Sequence, residues 1–330
     1  MTRPIRSFSS PRPTTVETLQ TCFQHRALLR PGPRLNRRVV GVLAKAQQLY
    51  PVELHGFVVL STHLHLNATY VDPAQMAGFH CFLNANLSKE IGVLRDWPGT
   101  SFPERYRHVE ISDEAAVERA RMKYLLSQGC KEGLVASPLD WPGASSTWAL
   151  VGAEPLFGEW VDRTALRQAR QRGENVSESD FTELLELRLY PMRSLAHLSP
   201  DGYRQEIRAL VREIEEETAA KHAVDGTRPL GVEEILARDP QFRPSEIPRR
   251  PRPWFHALDP EVRADMRRAL VTIAVYYRAA AESLKKGDRQ ARFPVHTFPP
   301  GLPFVRGGQG LTIDEICLAP PQKIELLEPG

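Results

Sequence analysis

The spacing of apolar positions in the first half of the chain predicts alternating strands and helices. Apolar and polar residues alternate within residues 15–29, which favours a strand. After a Pro-Gly-Pro loop, apolar residues recur at helical spacing over residues 35–50, and Pro51 ends this predicted helix. The runs 52–60 and 63–70 are rich in strand-forming residues and are separated by a short break, so they predict an antiparallel hairpin.

The following residues extend this pattern. Asp72-Pro73 predicts the start of a helix, residues 105–111 alternate like a strand, and Asp113 is expected to cap a further helix that Gly129 would end. The predicted order is therefore strand, helix, strand, strand, helix, strand, helix. This order favours an α+β fold of the ferredoxin-like arrangement, an antiparallel sheet with helices on one face, followed by one extra helix.

The two ends of the chain have a different character. Residues 1–13 are rich in proline, serine and arginine and predict a flexible leader. After residue 150 the pattern changes to helical patches between Pro- and Arg-rich linkers, with amphipathic helices predicted over 203–220 and 260–284. We therefore predict a domain at 14–150 and a mainly α-helical extension at 151–330, whose role the sequence leaves open.

Composition narrows the class of protein. A hydrophobic fraction of 42% is enough for a buried core. The four cysteines form no CxxC pair, which excludes a disulfide framework and a zinc knuckle of the usual spacing. We expect neither a membrane span nor a signal peptide, because no apolar run reaches 18 residues, and the sequence favours a cytoplasmic protein.

Positive charge is concentrated near the start of the chain. The net charge is only +3, but residues 1–50 contain nine Lys and Arg residues against the single acid Glu17. This asymmetry is typical of proteins that bind a polyanion such as nucleic acid. A solvated basic segment without a partner is the alternative that charge alone leaves open.

Two pairs of residues could carry chemistry. His63 and His65 lie two residues apart, so on one strand both imidazoles project from the same face and could hold one metal ion. Tyr124 and Gln128 lie four residues apart, so on one helix they share a face. Each pair alone is more often structural, the histidines as ordinary sheet residues and the tyrosine as a core residue.

Taken together, three segments resemble the REP-associated tyrosine transposases, which are insertion-sequence-200-like enzymes of the single-tyrosine HUH superfamily. They are 54–66 (LHGFVVLSTHLHL), 124–135 (YLLSQGCKEGLV) and the Asp-Trp-Pro at 140–142, and the resemblance covers about residues 14–148. It implies that His63, His65 and Gln128 bind a divalent metal, Mg²⁺ or Mn²⁺, and that Tyr124 is the nucleophile.

The same resemblance implies the reaction. The family cuts single-stranded DNA beside hairpin or REP-like repeats through a 5′-phosphotyrosine intermediate, and a second 3′ hydroxyl reverses the step. Lys131 could meet the phosphate, or it could be a solvated lysine. The chain departs from the family where Thr62 replaces an Asn before the first histidine, and where Gln128-Gly129 replaces Asn-Pro.

DNA contacts are the least determined part of this prediction. Basic and aromatic side chains near the predicted site are candidates to hold the strand and stack on bases, or are simply surface residues: Arg26, Arg30, Arg34, Arg105 and Tyr106. An alternative function is a host-adopted regulator that binds hairpin DNA without transposing it. The protein could act as a monomer, or as a homodimer that exchanges its tyrosine helix.

Overall fold

A computed structural model describes residue 5 and residues 7–152, 154–244, 253–295 and 297–298 of the chain. In this part the strands are β1 (Thr14–Thr21), β2 (Glu53–Val59), β3 (His63–Tyr70), β4 (Arg107–Ile111), β5 (Leu156–Val161), β6 (Thr182–Leu187) and β7 (Phe255–His256). The helices are α1 (Pro33–Leu49), α2 (Pro73–Arg95), α3 (Ala115–Leu126), α4 (Gln128–Lys131), α5 (Thr147–Leu150), α6 (Arg163–Gln171), α7 (Pro200–Asp225), α8 (Val232–Ala237) and α9 (Pro260–Lys285). None of the helices described is long and apolar enough to cross a membrane.

The central element is a five-stranded sheet in the order β2-β3-β1-β4-β7. Its first four strands pair antiparallel, and β7 joins the edge strand β4 in parallel. Strand β3 therefore lies between β2 and β1, with His65 opposite Leu19 on β1 and Val58 on β2. The succession of elements from β1 to α3 agrees with the predicted order, and the fold is mixed α and β.

Helices cover both faces of the sheet. Alternate strand residues such as Leu64 and Leu66 are buried in the main core together with the apolar faces of α1 and α2. On the opposite face, Val58 packs in a second core with Met122 and Leu125 of α3. Because side chains alternate along a strand, the residues of β3 that point toward α3 are His63, His65, Asn67 and Thr69. The sheet face under α3 is therefore the polar one.

Several local predictions were wrong in detail. The first strand ends at Thr21, and a short 3-10 turn follows in which Gln24 and His25 have positive φ angles of 53° and 54°. Glu114, rather than Asp113, is the N-cap of α3. Gly129 does not end that helix, which ends at Leu126, but lies inside the next turn. A Cβ on Gly129 would lie 3.0 Å from the Val135 side chain, so this glycine serves a close packing contact.

The predicted leader is partly fixed to the sheet. Phe8 is buried in the main core, and the backbone N–H and hydroxyl of Ser9 donate to the carboxylate of Glu110 on β4. Phe8 and Ser9 therefore contact the sheet, and the flexible leader at 1–13 stays a prediction.

The segment after residue 150 packs directly on the first 150 residues. The hairpin of β5 and β6, which the sequence did not predict, lies on α1, where Gly41 and Gly158 allow backbone-to-backbone contact. A buried ion-pair network joins Arg38 of α1 and Glu90 of α2 to Arg163 of α6. The long helix α7 contains the predicted 203–220 helix and packs on α3. The division at residue 150 stays a prediction, since buried contacts cross it.

Candidate active site

The two predicted histidines lie side by side at one end of the polar sheet face. Their ring centroids are 5.1 Å apart and the rings are nearly perpendicular, with an interplanar angle of 70°. The position is set by strand geometry, because two residues two apart on β3 share the face toward α3. The arrangement can present two imidazole nitrogens to one ion.

His63 has a defined hydrogen bond on one ring nitrogen. Its Nδ1 lies 2.8 Å from the Thr62 hydroxyl, and its Nε2 lies 3.5 Å from Glu132 Oε1. Burial, reinforced by His65 and His25, holds the pKa of His63 well below its ordinary value. Thr62 therefore orients His63, as the second partner of a metal-binding histidine does. The neutral imidazole is also the form that binds metals.

His65 is more deeply buried and has an unsatisfied nitrogen. Its Nδ1 is buried without a hydrogen-bond partner, and the nearest carboxylate oxygen, Glu17 Oε1, is 3.8 Å away, too far for a hydrogen bond. A buried polar atom without a partner is costly unless a ligand satisfies it. This orphaned nitrogen beside a second imidazole fits a metal-binding role for the pair.

The oxygen donors around the histidines are less decisive. Gln128 is buried, and its Nε2 donates to the Tyr124 carbonyl at 2.7 Å, so the carboxamide oxygen is the atom that could bind a cation. Glu132 approaches His63 but does not complete a cluster: in the described part of the chain, no three His, Cys, Asp or Glu side chains are grouped to hold a metal. Gln128 as the third ligand stays a prediction.

Tyr124 faces the histidines from α3. Its ring centroid is 6.1 Å from that of His65, and the phenol is partly exposed. Two cations contact the ring: Arg121 Cζ lies 3.9 Å and Lys131 Nζ 4.1 Å from its centroid. The predicted residues Tyr124 and Lys131 are thus brought together with His65, because the chain continues from α3 into the turn of α4. The ring of the candidate nucleophile is therefore flanked by two cations.

A buried carboxylate supports this cluster and was missed by the sequence analysis. Glu17 of β1 accepts from Arg121 Nε at 2.9 Å and also from its Nη2, while its other oxygen faces His65. Burial opposes ionisation of Glu17, but His65 and Arg121 outweigh it and lower the pKa of this carboxyl. In the sequence, Glu17 could be recognised only as a single acidic residue at an inward-facing position of a predicted strand.

The predicted DNA contacts are placed differently. Arg26 Nη1 donates to the Gln241 carbonyl at 2.6 Å, and Arg30 Nη1 donates to the Arg238 carbonyl at 3.0 Å, so both hold the extension. Arg34 pairs with Glu178 at 3.5 Å.

The other two predicted DNA contacts lie just before β4. Arg105 is exposed, and its charge acts against the burial that raises the pKa of Tyr277. Tyr106 is buried, and its ring stacks on His80 with centroids 4.0 Å apart. The Tyr106 ring is therefore part of the core and does not present a face to a base.

Comparisons with known proteins give structural similarities only. No protein-family model and no curated protein matches the chain. A REP-associated tyrosine transposase bound to a REP hairpin is similar over 46% of this chain and 86% of its own, with 17% identity and a TM-score of 0.36. A protein from Deinococcus radiodurans R1, provisionally described as a transposase, is similar over 35% and 91%, with 11% identity and a TM-score of 0.27. At these identities and TM-scores, neither similarity assigns a function.

Proposed function

We propose that this chain is a metal-dependent single-tyrosine DNA nuclease and strand transferase built on a ferredoxin-like HUH domain. The observation that carries the proposal is the grouping of a partly exposed phenol, Tyr124, with two imidazoles and two cations. A tyrosine placed only for packing would not need Arg121 and Lys131 on its ring beside His65. A nucleophile that must carry negative charge needs such surroundings.

In the proposed reaction, the Tyr124 oxygen attacks a phosphodiester of single-stranded DNA. An O–P bond forms between the phenol and the 5′ phosphate, the bond to the 3′ oxygen breaks, and the departing 3′ oxygen takes up a proton as the phenol loses one. The free energy of the phosphodiester is kept in the phosphotyrosine, so a 3′ hydroxyl can reverse the step. The reaction class is therefore cleavage followed by strand transfer.

Each side chain of the cluster has a distinct part in this proposal. His63, His65 and Gln128 would hold a divalent cation, Mg²⁺ or Mn²⁺, which supplies positive charge to the phosphate oxygens. Lys131 lies close enough to the ring of Tyr124 to contact the phosphate being attacked. Arg121 fixes the ring from a guanidinium that Glu17 holds in place.

The substrate proposed is a single strand next to a hairpin or REP-like repeat, inside the cytoplasm. A homodimer that exchanges Tyr124 is compatible with the reaction, as is a monomer. A hairpin-binding regulator without transposition is the alternative outcome, and it predicts DNA binding without a covalent adduct.

The test incubates the protein with labelled single-stranded hairpin DNA and Mn²⁺ and looks for a denaturant-stable adduct. We expect an adduct with the wild type and with Tyr190→Phe, a control tyrosine that is 39% exposed and lies outside the cluster. Tyr124→Phe should form none. An adduct that survives Tyr124→Phe contradicts the nucleophile assignment, and a wild type that binds DNA without forming any adduct supports the regulator.

The metal role is tested separately in the same assay. His63→Ala and His65→Ala should abolish the adduct and retain DNA binding, whereas the exposed control His197→Ala should behave as the wild type. Unchanged adduct formation in His63→Ala or His65→Ala would contradict the proposed metal site.

A further inference from the structure

The segment that follows α8 crosses the molecule next to the candidate active site. Residues 238–242, here called the rim segment, are held on the loop between β1 and α1 by three hydrogen bonds. Arg30 Nη1 donates to the Arg238 carbonyl at 3.0 Å, Arg26 Nη1 to the Gln241 carbonyl at 2.6 Å, and the Ala27 N–H to the Phe242 carbonyl at 3.2 Å. The rim segment is therefore a fixed part of this surface.

The rim segment borders the histidines through Glu132. The Glu132 carboxylate lies 3.5 Å from His63 Nε2, and Arg238 is close enough to act on the pKa of the same carboxyl. Lys131, which contacts the Tyr124 ring, acts on it as well. The loop that holds the rim segment also bonds the residues directly before His63, because the Leu29 N–H donates to the Ser61 carbonyl and the Cys22 N–H to the Thr62 carbonyl, both at 2.9 Å. The rim segment is therefore attached to the same loop as the candidate metal ligand.

The rim segment exposes groups that suit a single strand. Phe242 is 45% exposed, and the Arg238 guanidinium lies 5.2 Å from its ring centroid. A second pair of the same kind adjoins it, with the Arg26 guanidinium 5.5 Å from the centroid of the Trp97 ring. The one acid of the segment, Asp239, accepts the Gln241 N–H at 2.8 Å in a local turn.

Exposed aromatic rings combined with arginines are the means by which proteins bind single-stranded nucleic acid without reading its sequence. Bases stack on the ring, while the guanidinium contacts phosphate and adds a cation–π contribution. Protein partners would need a larger apolar surface than one ring, whereas a flexible strand needs only one ring per base.

We infer that the rim segment binds the single-stranded DNA that enters the candidate active site, with Phe242 as a stacking platform and Arg238 as a phosphate contact. The identity of the ligand rests on the proposed function. The inference gives the extension after residue 150 a direct part in substrate binding. Arg26 and Arg30 then act by positioning this segment through its backbone.

The test measures binding of a fluorescent single-stranded oligonucleotide to the full chain in EDTA, where metal-dependent cleavage is blocked. The double variant Arg238→Ala/Phe242→Ala should lower the affinity roughly ten-fold or more, the loss expected for one stacked base and one phosphate contact. Its plot of log affinity against log salt should also become shallower by about 0.7, the value for one phosphate contact on a single strand.

A matched control removes the same residue types elsewhere. Phe157 on β5 is 52% exposed, and Arg172 after α6 pairs only locally with Glu174. Arg172→Ala/Phe157→Ala should bind the oligonucleotide as the wild type does. If the affinity of Arg238→Ala/Phe242→Ala is within about two-fold of the control's affinity, the inference is overturned. A two-fold change is well below the change expected from the loss of one stacked base.

A second measurement covers the case in which the double variant unfolds at lower temperature. The wild type is photocrosslinked to an oligonucleotide that carries 5-iododeoxyuridine, and the labelled peptide is identified by mass spectrometry. Label on the peptide that contains Phe242 supports the inference, and label confined to other peptides overturns it.

Failure of this inference can be distinguished from failure of the proposed function. If the wild type forms a Tyr124 adduct while the rim variant binds DNA normally, only the inference is wrong. If the rim variant loses affinity but the wild type never forms an adduct, the rim binds DNA and the nuclease proposal is wrong.

Discussion

Replacing Gly41 with alanine should separate the β5–β6 hairpin from α1. A Cβ at this position would lie 2.2 Å from the Glu159 carbonyl carbon and 2.5 Å from the Trp160 nitrogen, where ordinary contacts begin near 3.4 Å. Both neighbours are backbone atoms, so no side-chain rotation relieves the overlap. The hairpin would have to move away by more than 1 Å.

The expected loss of unfolding free energy follows from the side chains that this contact buries. Moving the hairpin exposes Leu187, which is 3% exposed in the fold, and burial of one such leucine contributes about 1.5–3 kcal/mol. Arg38, only 5% exposed, would also be drawn away from Glu159, and weakening a buried ion pair costs up to about 3–5 kcal/mol. The higher helix propensity of alanine compared with glycine offsets about 1 kcal/mol of this loss. We expect a net loss of about 3 kcal/mol.

Urea unfolding of Gly41→Ala, with Gly92→Ala as control, measures this loss. Gly92 lies in α2, and a Cβ there would lie no closer than 3.5 Å to any neighbour, so the control should be neutral or more stable by about 0.5–1 kcal/mol. Equal stability of the two variants would refute the claim that the hairpin is packed on α1 as described. Since α1 lies on the sheet face away from Tyr124, DNA cleavage well below the unfolding transition should be retained.

Two further predictions concern buried carboxylates. Glu17→Gln removes the negative charge that holds Arg121 and faces His65. The single-turnover rate of adduct formation should therefore fall roughly 10- to 100-fold with little change in DNA affinity. An unchanged rate would show that Glu17 does not position the site. Burial raises the pKa of Glu110 from its ordinary 4.5 to about 7, so its contribution to stability is complete below pH 4.5 and is lost as pH rises through 7. In Glu110→Gln, the wild-type loss of about 2.5 kcal/mol in unfolding free energy between pH 5 and pH 8 should therefore disappear, and identical pH profiles in urea titrations would contradict this.

The elements from β1 to α3 could be predicted because their apolar residues repeat with the period of one structure. The predicted and observed bounds of β3 agree at both ends, His63 and Tyr70. The reason is that its side chains alternate between the main core and the polar face. The β5–β6 hairpin was missed because its local pattern is weak. Leu184 and Phe157 are exposed, and Gly158 is required only by the close approach of α1, which no local pattern reveals.

The residues of the candidate site also differ in whether the sequence alone could suggest them. His63, His65 and Tyr124 could be proposed from spacing and resemblance, because each lies within a short motif that can be read from neighbouring residues. Glu17 and Arg121 could not, since they are 104 residues apart and meet only when β1 and α3 pack.

Arg26 and Tyr106 show what residue type leaves open. Charge and aromaticity predicted DNA contacts, but the guanidinium of Arg26 is occupied by a backbone carbonyl and the ring of Tyr106 is in the core. Residue type alone does not tell whether a polar or aromatic group is already satisfied within the fold.

The residue that attacks the DNA can be identified chemically. The wild-type chain is incubated with hairpin DNA and Mn²⁺, the denatured product is digested with nuclease and trypsin, and the modified peptide is sequenced by mass spectrometry. Cleavage after Lys123 and Lys131 releases residues 124–131, in which Tyr124 is the only tyrosine. We expect a nucleotide 5′-phosphate on Tyr124, and its attachment to any other residue would contradict the assignment of Tyr124 as the nucleophile.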